Sequence, residues 1–139
     1  MEIIIYGEPV AQGRPRFNRH TGSAYDPAKS RNYKKLVAQQ AQAYKPDELL
    51  TGALGMEIDI FRSAPKSISS VKKRQPDLKN ERLRPITKPD VDNYAKGVKD
   101  ALSGLIYKDD SQIVDLRIRK YYSLEPRVVV RAEQLDDLN

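Results

Sequence analysis

The sequence predicts an α+β fold, a small mixed β-sheet with two main helices on one face. Three observations carry this. Apolar, β-branched runs at residues 2–6, 56–61, 113–122 and 127–131 read as strands. Residues 27–44 and 91–103 have helical spacing and helix-opening residues. The order is mixed, with hairpin and arm inserted among strands and helices and an antiparallel strand pair expected at the end. At 139 residues the chain is expected to form one domain, 1–139, with a modest core.

Each element has a local reason. Met1-Glu2-Ile3-Ile4-Ile5-Tyr6 reads as a strand and lacks the basic start and length of a signal peptide. Arg16-Phe17-Asn18-Arg19, a turn at His20-Thr21-Gly22, and Ser23-Ala24-Tyr25 read as a basic hairpin. Phe17 is expected to pack on the sheet, ahead of stacking on or wedging into a bound partner. Asp26 is the expected N-cap of the first helix, with Pro27 near its first position. Residues 56–61 alternate apolar and acidic, which argues a half-buried strand. Residues 62–87, rich in Ser, Pro, Lys and Arg, read as a basic loop or arm with one short helix near 68–74. Pro89 disfavours helix at Lys88, which leaves Asp90 as N-cap of the second helix. Val91, Tyr94, Ala95, Val98 and Leu102 share its core face, and Asp92, Lys96, Lys99 and Ser103 form a stripe beside it. A turn at Glu125-Pro126 joins the last two strands. Of Tyr121 and Tyr122, one is expected in the core and one on the surface.

Charge bounds the function. The net charge is +6, which favours an anionic partner, nucleic acid or an acidic membrane surface. No apolar run is long enough to span a bilayer. With no cysteine, disulfides and thiolate zinc sites are excluded, and a cytoplasmic location is expected. A single histidine, His20, cannot build a multi-histidine zinc site, and its turn-like setting argues against a Ser-His-Asp triad. Any metal must therefore be held by oxygen, which suits Mg²⁺ or Mn²⁺. The charge is also uneven. Residues 62–88 hold nine Arg and Lys against two acids, whereas residues 89–110 are net acidic.

Carboxylates set in a cationic field are the usual equipment of a metal-dependent nuclease. Asp90 and Asp92 open the second helix, Lys96 follows one turn later, and Asp109-Asp110 lies beyond the helix end. A plainer reading stands beside this one. Asp90 can be a cap, Asp92 can complement the helix dipole, and Asp92 with Lys96 can be an ordinary surface pair. The nuclease reading expects Asp90, Asp92 and Asp110 to converge on one metal site with Lys96 alongside. Arg14, Arg16, Arg19 and His20 of the hairpin, and Lys72, Lys73, Arg74, Lys79, Arg82 and Arg84 of the arm, are candidate DNA contacts.

The spaced set Lys88-Pro89-Asp90-Val91-Asp92-Asn93, Lys96, Asp100-Ala101-Leu102 and Asp109-Asp110-Ser111-Gln112-Ile113-Val114 resembles the RusA family of Holliday junction resolvases. Gly7-Glu8-Pro9 and Arg14-Pro15-Arg16 look like the start of its prophage-type members. The resemblance implies a homodimer that nicks four-way DNA junctions symmetrically with Mg²⁺ or Mn²⁺, in recombination and repair. It implies Asp90, Asp92 and Asp110 as metal ligands and Lys96 as the active-site lysine. Pro89 stands where family members can have arginine, which moves a phosphate contact to Lys88. Two alternatives remain open: a nuclease of flaps or other branched DNA, and a non-catalytic DNA-binding protein.

Overall fold

The computed structural model describes residues 1–13, 16–25 and 27–136. Ten secondary elements of helix and strand follow among them. The strands are β1 (Glu2–Tyr6), β2 (Arg16–Phe17), β3 (Ala24–Tyr25), β4 (Leu54–Arg62), β5 (Ile113–Tyr122) and β6 (Arg127–Gln134). The helices are α1 (Ala28–Ala41), α2 (Lys66–Ser69), α3 (Gln75–Lys79) and α4 (Val91–Leu102).

The main sheet has the order β1-β6-β4-β5. β6 is antiparallel to both β1 and β4, and β4 is parallel to β5. A parallel pair needs a long crossover, and the arm together with α4 supplies it. β5 and β6 follow one another in the chain but do not pair, because β4 lies between them. The expected terminal antiparallel pair is therefore corrected: β6 finds its antiparallel partners in β1 and β4.

Alternate residues set the two faces of this sheet. Ile3, Ile5, Ile58, Ile60, Val128 and Val130 are fully buried under α1 and α4. The two long helices touch each other, and they touch β1 and β5 respectively, so both cover that face. α4 contributes Tyr94, Ala95, Val98 and Leu102, as its spacing predicts, whereas Val91 at its first turn is only half-buried.

The other face is charged, and this corrects the expectation for β4. That strand is buried along most of its length, not half-buried. Asp59 is 5% exposed but fully partnered: Arg119 Nε donates to Oδ1 at 2.6 Å and Arg131 Nη1 to Oδ2 at 2.9 Å. Paired in this way, a carboxylate tolerates a central strand.

The helix boundaries differ in detail. Pro27 occupies the N-cap position of α1 itself (φ −56°, ψ 146°), and Asp26 lies outside the described residues. The arm carries more structure than the single helix expected, with α2, a 3₁₀ turn at Lys72–Arg74, and α3. Its far half is docked on the sheet. Leu78 is buried, Tyr122 N–H donates to the Leu83 carbonyl at 2.9 Å, and Arg127 pairs with Glu81 at 2.8 Å. Arg84 lies 3.9 Å over the Tyr121 ring, which stacks on Phe61. Tyr122 is buried and Tyr121 half-buried.

Candidate active site

The turn before α4 is held by two cations from the ends of β4 and β5. Arg62 Nη1 donates to the Lys88 carbonyl at 3.2 Å and the Tyr94 hydroxyl at 3.3 Å, and Nη2 donates to Thr87 Oγ1 at 3.2 Å. Lys120 Nζ donates to the carbonyls of Thr87 at 3.0 Å and Pro89 at 3.1 Å. The peptide bond between Lys88 and Pro89 is cis. A carbonyl-rich turn thus has its acceptors filled by fixed donors, and Asp90 follows directly. Nothing in the local sequence marks Arg62 or Lys120 for this task. They lie 25 and 33 residues from Thr87, so only the register of the sheet brings them there.

Asp90 has the extended backbone of an N-cap, φ −71° and ψ 154°, yet its side chain makes no capping hydrogen bond. Asp92 sits in the first turn of α4. Both are exposed, as is Lys96. Neither acid has an ion pair or side-chain hydrogen bond among the described residues, and Asp92 and Lys96 are not paired with each other. The plainer roles of cap and surface pair are therefore unfilled. Glu8, which sequence reasoning gave no role, is anchored near this end of the sheet: Ser63 N–H donates to it at 3.1 Å and Ser63 Oγ at 2.7 Å. Burial pushes the Tyr33 hydroxyl well above its ordinary range, and the charges of Glu8 and Tyr94 add to this.

Asp110 belongs to the opposite end of α4. The buried Tyr107 hydroxyl lies 2.8 Å from the Lys99 carbonyl and 2.9 Å from Asp110 Oδ1. Lys99 is nine residues along α4 from Asp90, about 14 Å at the rise of an α-helix. Burial raises the Tyr107 pKa, and the bond to Asp110 raises it further, so the phenol stays protonated as a donor. Asp109 is occupied locally: it caps the 3₁₀ turn Asp110–Gln112 in a capping box with Gln112. The Ser111 hydroxyl holds its carboxyl below the usual range.

Asp90 and Asp92 fit a hard divalent cation, since they offer exposed oxygen donors with no competing partner. Asp110 does not join them. Among the described residues no group of three or more His, Cys, Asp or Glu side chains is gathered to hold a metal ion.

The remaining candidates are spread over cationic surface. Arg16 and Arg19 are exposed in the β2–β3 hairpin, Lys72, Lys73 and Arg74 on the arm, and Lys88 in the turn before α4. Arg14 lies outside the described residues. Phe17 corrects an expectation. It is 74% exposed and does not pack on the sheet, because the two short strands form a ribbon separate from it, with every strand residue exposed. No helix among the described residues is long and apolar enough to cross a membrane.

Comparison with known proteins agrees with the residue pattern. A family model described as endodeoxyribonuclease RusA matches residues 6–133. The chain is also 50% identical over 137 residues to an uncharacterized protein, YqaN, of Bacillus subtilis (strain 168). That match covers 97% of this chain and 96% of the relative.

Proposed function

The chain belongs to the RusA endodeoxyribonuclease family, and from that premise we propose that it is a Holliday junction resolvase. It makes paired nicks in four-way DNA junctions with Mg²⁺, or Mn²⁺, as cofactor. Asp90 and Asp92 are the residues that would hold the ion, and Lys96 is the cation beside the scissile phosphate. The observation that carries this reading is the state of the two acids. They are fixed in place by a tightly bonded turn, yet their oxygens are not used by the fold. A fold that needed Asp90 only as a cap would use its oxygens.

Hydrolysis forms one P–O bond to water and breaks one P–O ester bond, and the leaving oxygen takes a proton. A bound divalent ion lowers the pKa of its water and stabilises charge on the phosphate oxygens. The chain's own side chains orient and neutralise the substrate. Lys96, exposed one turn from Asp92, has no ion pair among the described residues and is available to a phosphate oxygen. The exposed cations of hairpin, arm and turn supply the attraction to the DNA backbone.

The position of Asp110 favours a homodimer. Within one chain it is tied through Tyr107 to Lys99, in the last turn of α4, and is not gathered with Asp90 and Asp92, which supports reading it as the third carboxylate for the pair of a second copy. A two-fold dimer also presents two equivalent sites to the two like strands of a junction. In this reading the partner's Asp110 completes each Asp90–Asp92 pair.

The test is a synthetic four-way junction incubated with purified protein, with and without Mg²⁺. Paired nicks near the branch point, with matched linear duplex left intact, are expected. Flaps cut faster than junctions would reject the resolvase in favour of a general branched-DNA nuclease. No cutting with either metal would favour a DNA-binding protein.

A further inference from the structure

We propose that Phe17 is a base-stacking residue, whose ring packs on an unstacked nucleobase of branched DNA while Arg16 and Arg19 hold the flanking phosphates. This rests on the reading of the chain as a nuclease of branched DNA, and adds to it the group that would detect the branch.

The β2–β3 ribbon has no core of its own. Every residue of its strands is exposed, including Phe17 at 74% and Tyr25 at 44%. At 74% exposure the Phe17 ring is largely open to an outside partner. Its neighbours indicate what that partner is. Arg16, Arg19 and His20 are exposed on the same ribbon, and no acid lies between residues 16 and 25. Cations flanking an exposed aromatic are the composition of a single-strand or unstacked-base platform.

The ribbon is also preorganised. Asn18 Oδ1 accepts from the N–H of His20 at 2.8 Å and of Thr21 at 3.3 Å. Asn18 N–H donates to the Ser23 carbonyl and Gly22 N–H to the Asn18 carbonyl, each at 2.8 Å. Gly22 takes φ +70°, which a side chain would oppose. A ring carried on such a turn loses little freedom when it binds.

Its root is tied to the proposed active site. Gln12 N–H donates to the Asn93 carbonyl at 2.9 Å, in the first turn of α4, and Gly13 N–H donates to Ser30 Oγ at 2.8 Å. Phe17 is five residues from Gln12, a reach of at most about 18 Å. An aromatic within a few nucleotides of Asp90 and Asp92 can sense whether bases beside the scissile phosphate are open. Fully stacked duplex offers no face to it.

The test uses the full chain, which contains no tryptophan. In Phe17→Trp the introduced indole is the single reporter, and stacking on a base quenches it. Strong quenching by a single-stranded thymidine oligonucleotide and by a four-way junction, with little by matched duplex, is expected. Phe17→Ala should bind the junction about tenfold more weakly, with duplex affinity unchanged. An unquenched indole, or equal losses on junction and duplex, overturns the proposal. Cleavage is scored separately. Wild-type protein that cuts junctions while the indole stays bright sinks the stacking role alone. Quenching without any cutting sinks the nuclease reading and leaves the stacking role standing.

Discussion

Arg62 donates from Nη1 to the carbonyl oxygen of Lys88 at 3.2 Å, tying the end of β4 to the turn that delivers Asp90. The same guanidinium reaches Thr87 and Tyr94, so three parts of the turn and helix are fixed by one side chain. Arg62→Ala should leave an otherwise folded protein whose catalytic rate falls by about tenfold to a hundredfold, the usual effect of a small misplacement. DNA affinity should change much less, because Arg62 is turned into the turn. Arg62→Lys should restore part of the rate. Single-turnover cleavage under saturating protein separates the two quantities, and an unchanged rate in Arg62→Ala counts against a positioning role.

Asp90 and Asp92 test the choice between capping and chemistry. A lost N-cap bond costs about 1 kcal/mol, but Asp90 makes none. Asp90→Asn and Asp92→Asn should therefore unfold within about 0.5 kcal/mol of the parent. Cleavage should be abolished in each, while DNA binding stays level or tightens as phosphate repulsion falls. Urea melts and nicking assays on the same samples give both readouts. A large loss of stability in Asp90→Asn would return it to the role of a cap.

Subunit mixing reads out where Asp110 acts. Asp90→Asn and Asp110→Asn homodimers should both be inactive. In a mixed dimer one site draws its Asp90 and its partner's Asp110 from unmutated positions. That site should nick one strand, giving up to about half of the parent activity per heterodimer. If all three acids served within one chain, every site in the mixture would carry a defect, and no activity would return.

Much of the fold could be read from local chemistry. The strand at residues 2–6, the Val91–Leu102 helix with its Tyr94, Ala95, Val98 and Leu102 stripe, and the long strand at residues 113–122 all follow from apolar runs, period and breakers. What could not be read depends on pairing across the sheet. β4 looked half-buried because Glu57 and Asp59 alternate with apolar residues, and only the Arg119 and Arg131 forks make its second face a buried one. The insertion of β4 between β5 and β6 likewise leaves no local mark. At the site, the acids of α4 are plain from spacing. The place of Asp110 is not, since it depends on a Tyr107 hydroxyl reaching back to Lys99.

Docking of the arm should weaken in acid. Glu81 is opposed by partial burial, but hydrogen bonds from Arg127 and Ser123 outweigh this and hold its carboxyl below the ordinary value of 4.5. The folded chain therefore binds this proton less readily than the unfolded one. The contribution is complete above pH 4.5 and is lost as pH falls through the lower folded value. At pH 7, Glu81→Gln should cost about 1–2 kcal/mol. The gap between parent and variant should close as pH drops below 4.5, and a gap independent of pH would contradict the ion pair as its source.

The arm's cations are expected to set the salt dependence of binding. Lys72, Lys73 and Arg74 are exposed on a 3₁₀ turn, with the chain behind them anchored by Leu78 and by the Glu81–Arg127 pair. Rigid placement means that they meet phosphates without ordering a loop first. Each phosphate neutralised adds about 0.9 to the slope of log affinity against log salt on duplex DNA. Replacing the three together with glutamine should lower that slope by about two to three and weaken binding at low salt. The loss should be similar for junction and duplex, because phosphate contacts carry no information about sequence, whereas a preference for junctions would have to come from the shape of the branch. Titrations at several salt concentrations give the slope directly. An unchanged slope would take the arm out of the DNA interface, and a loss confined to junctions would make it a reader of the branch.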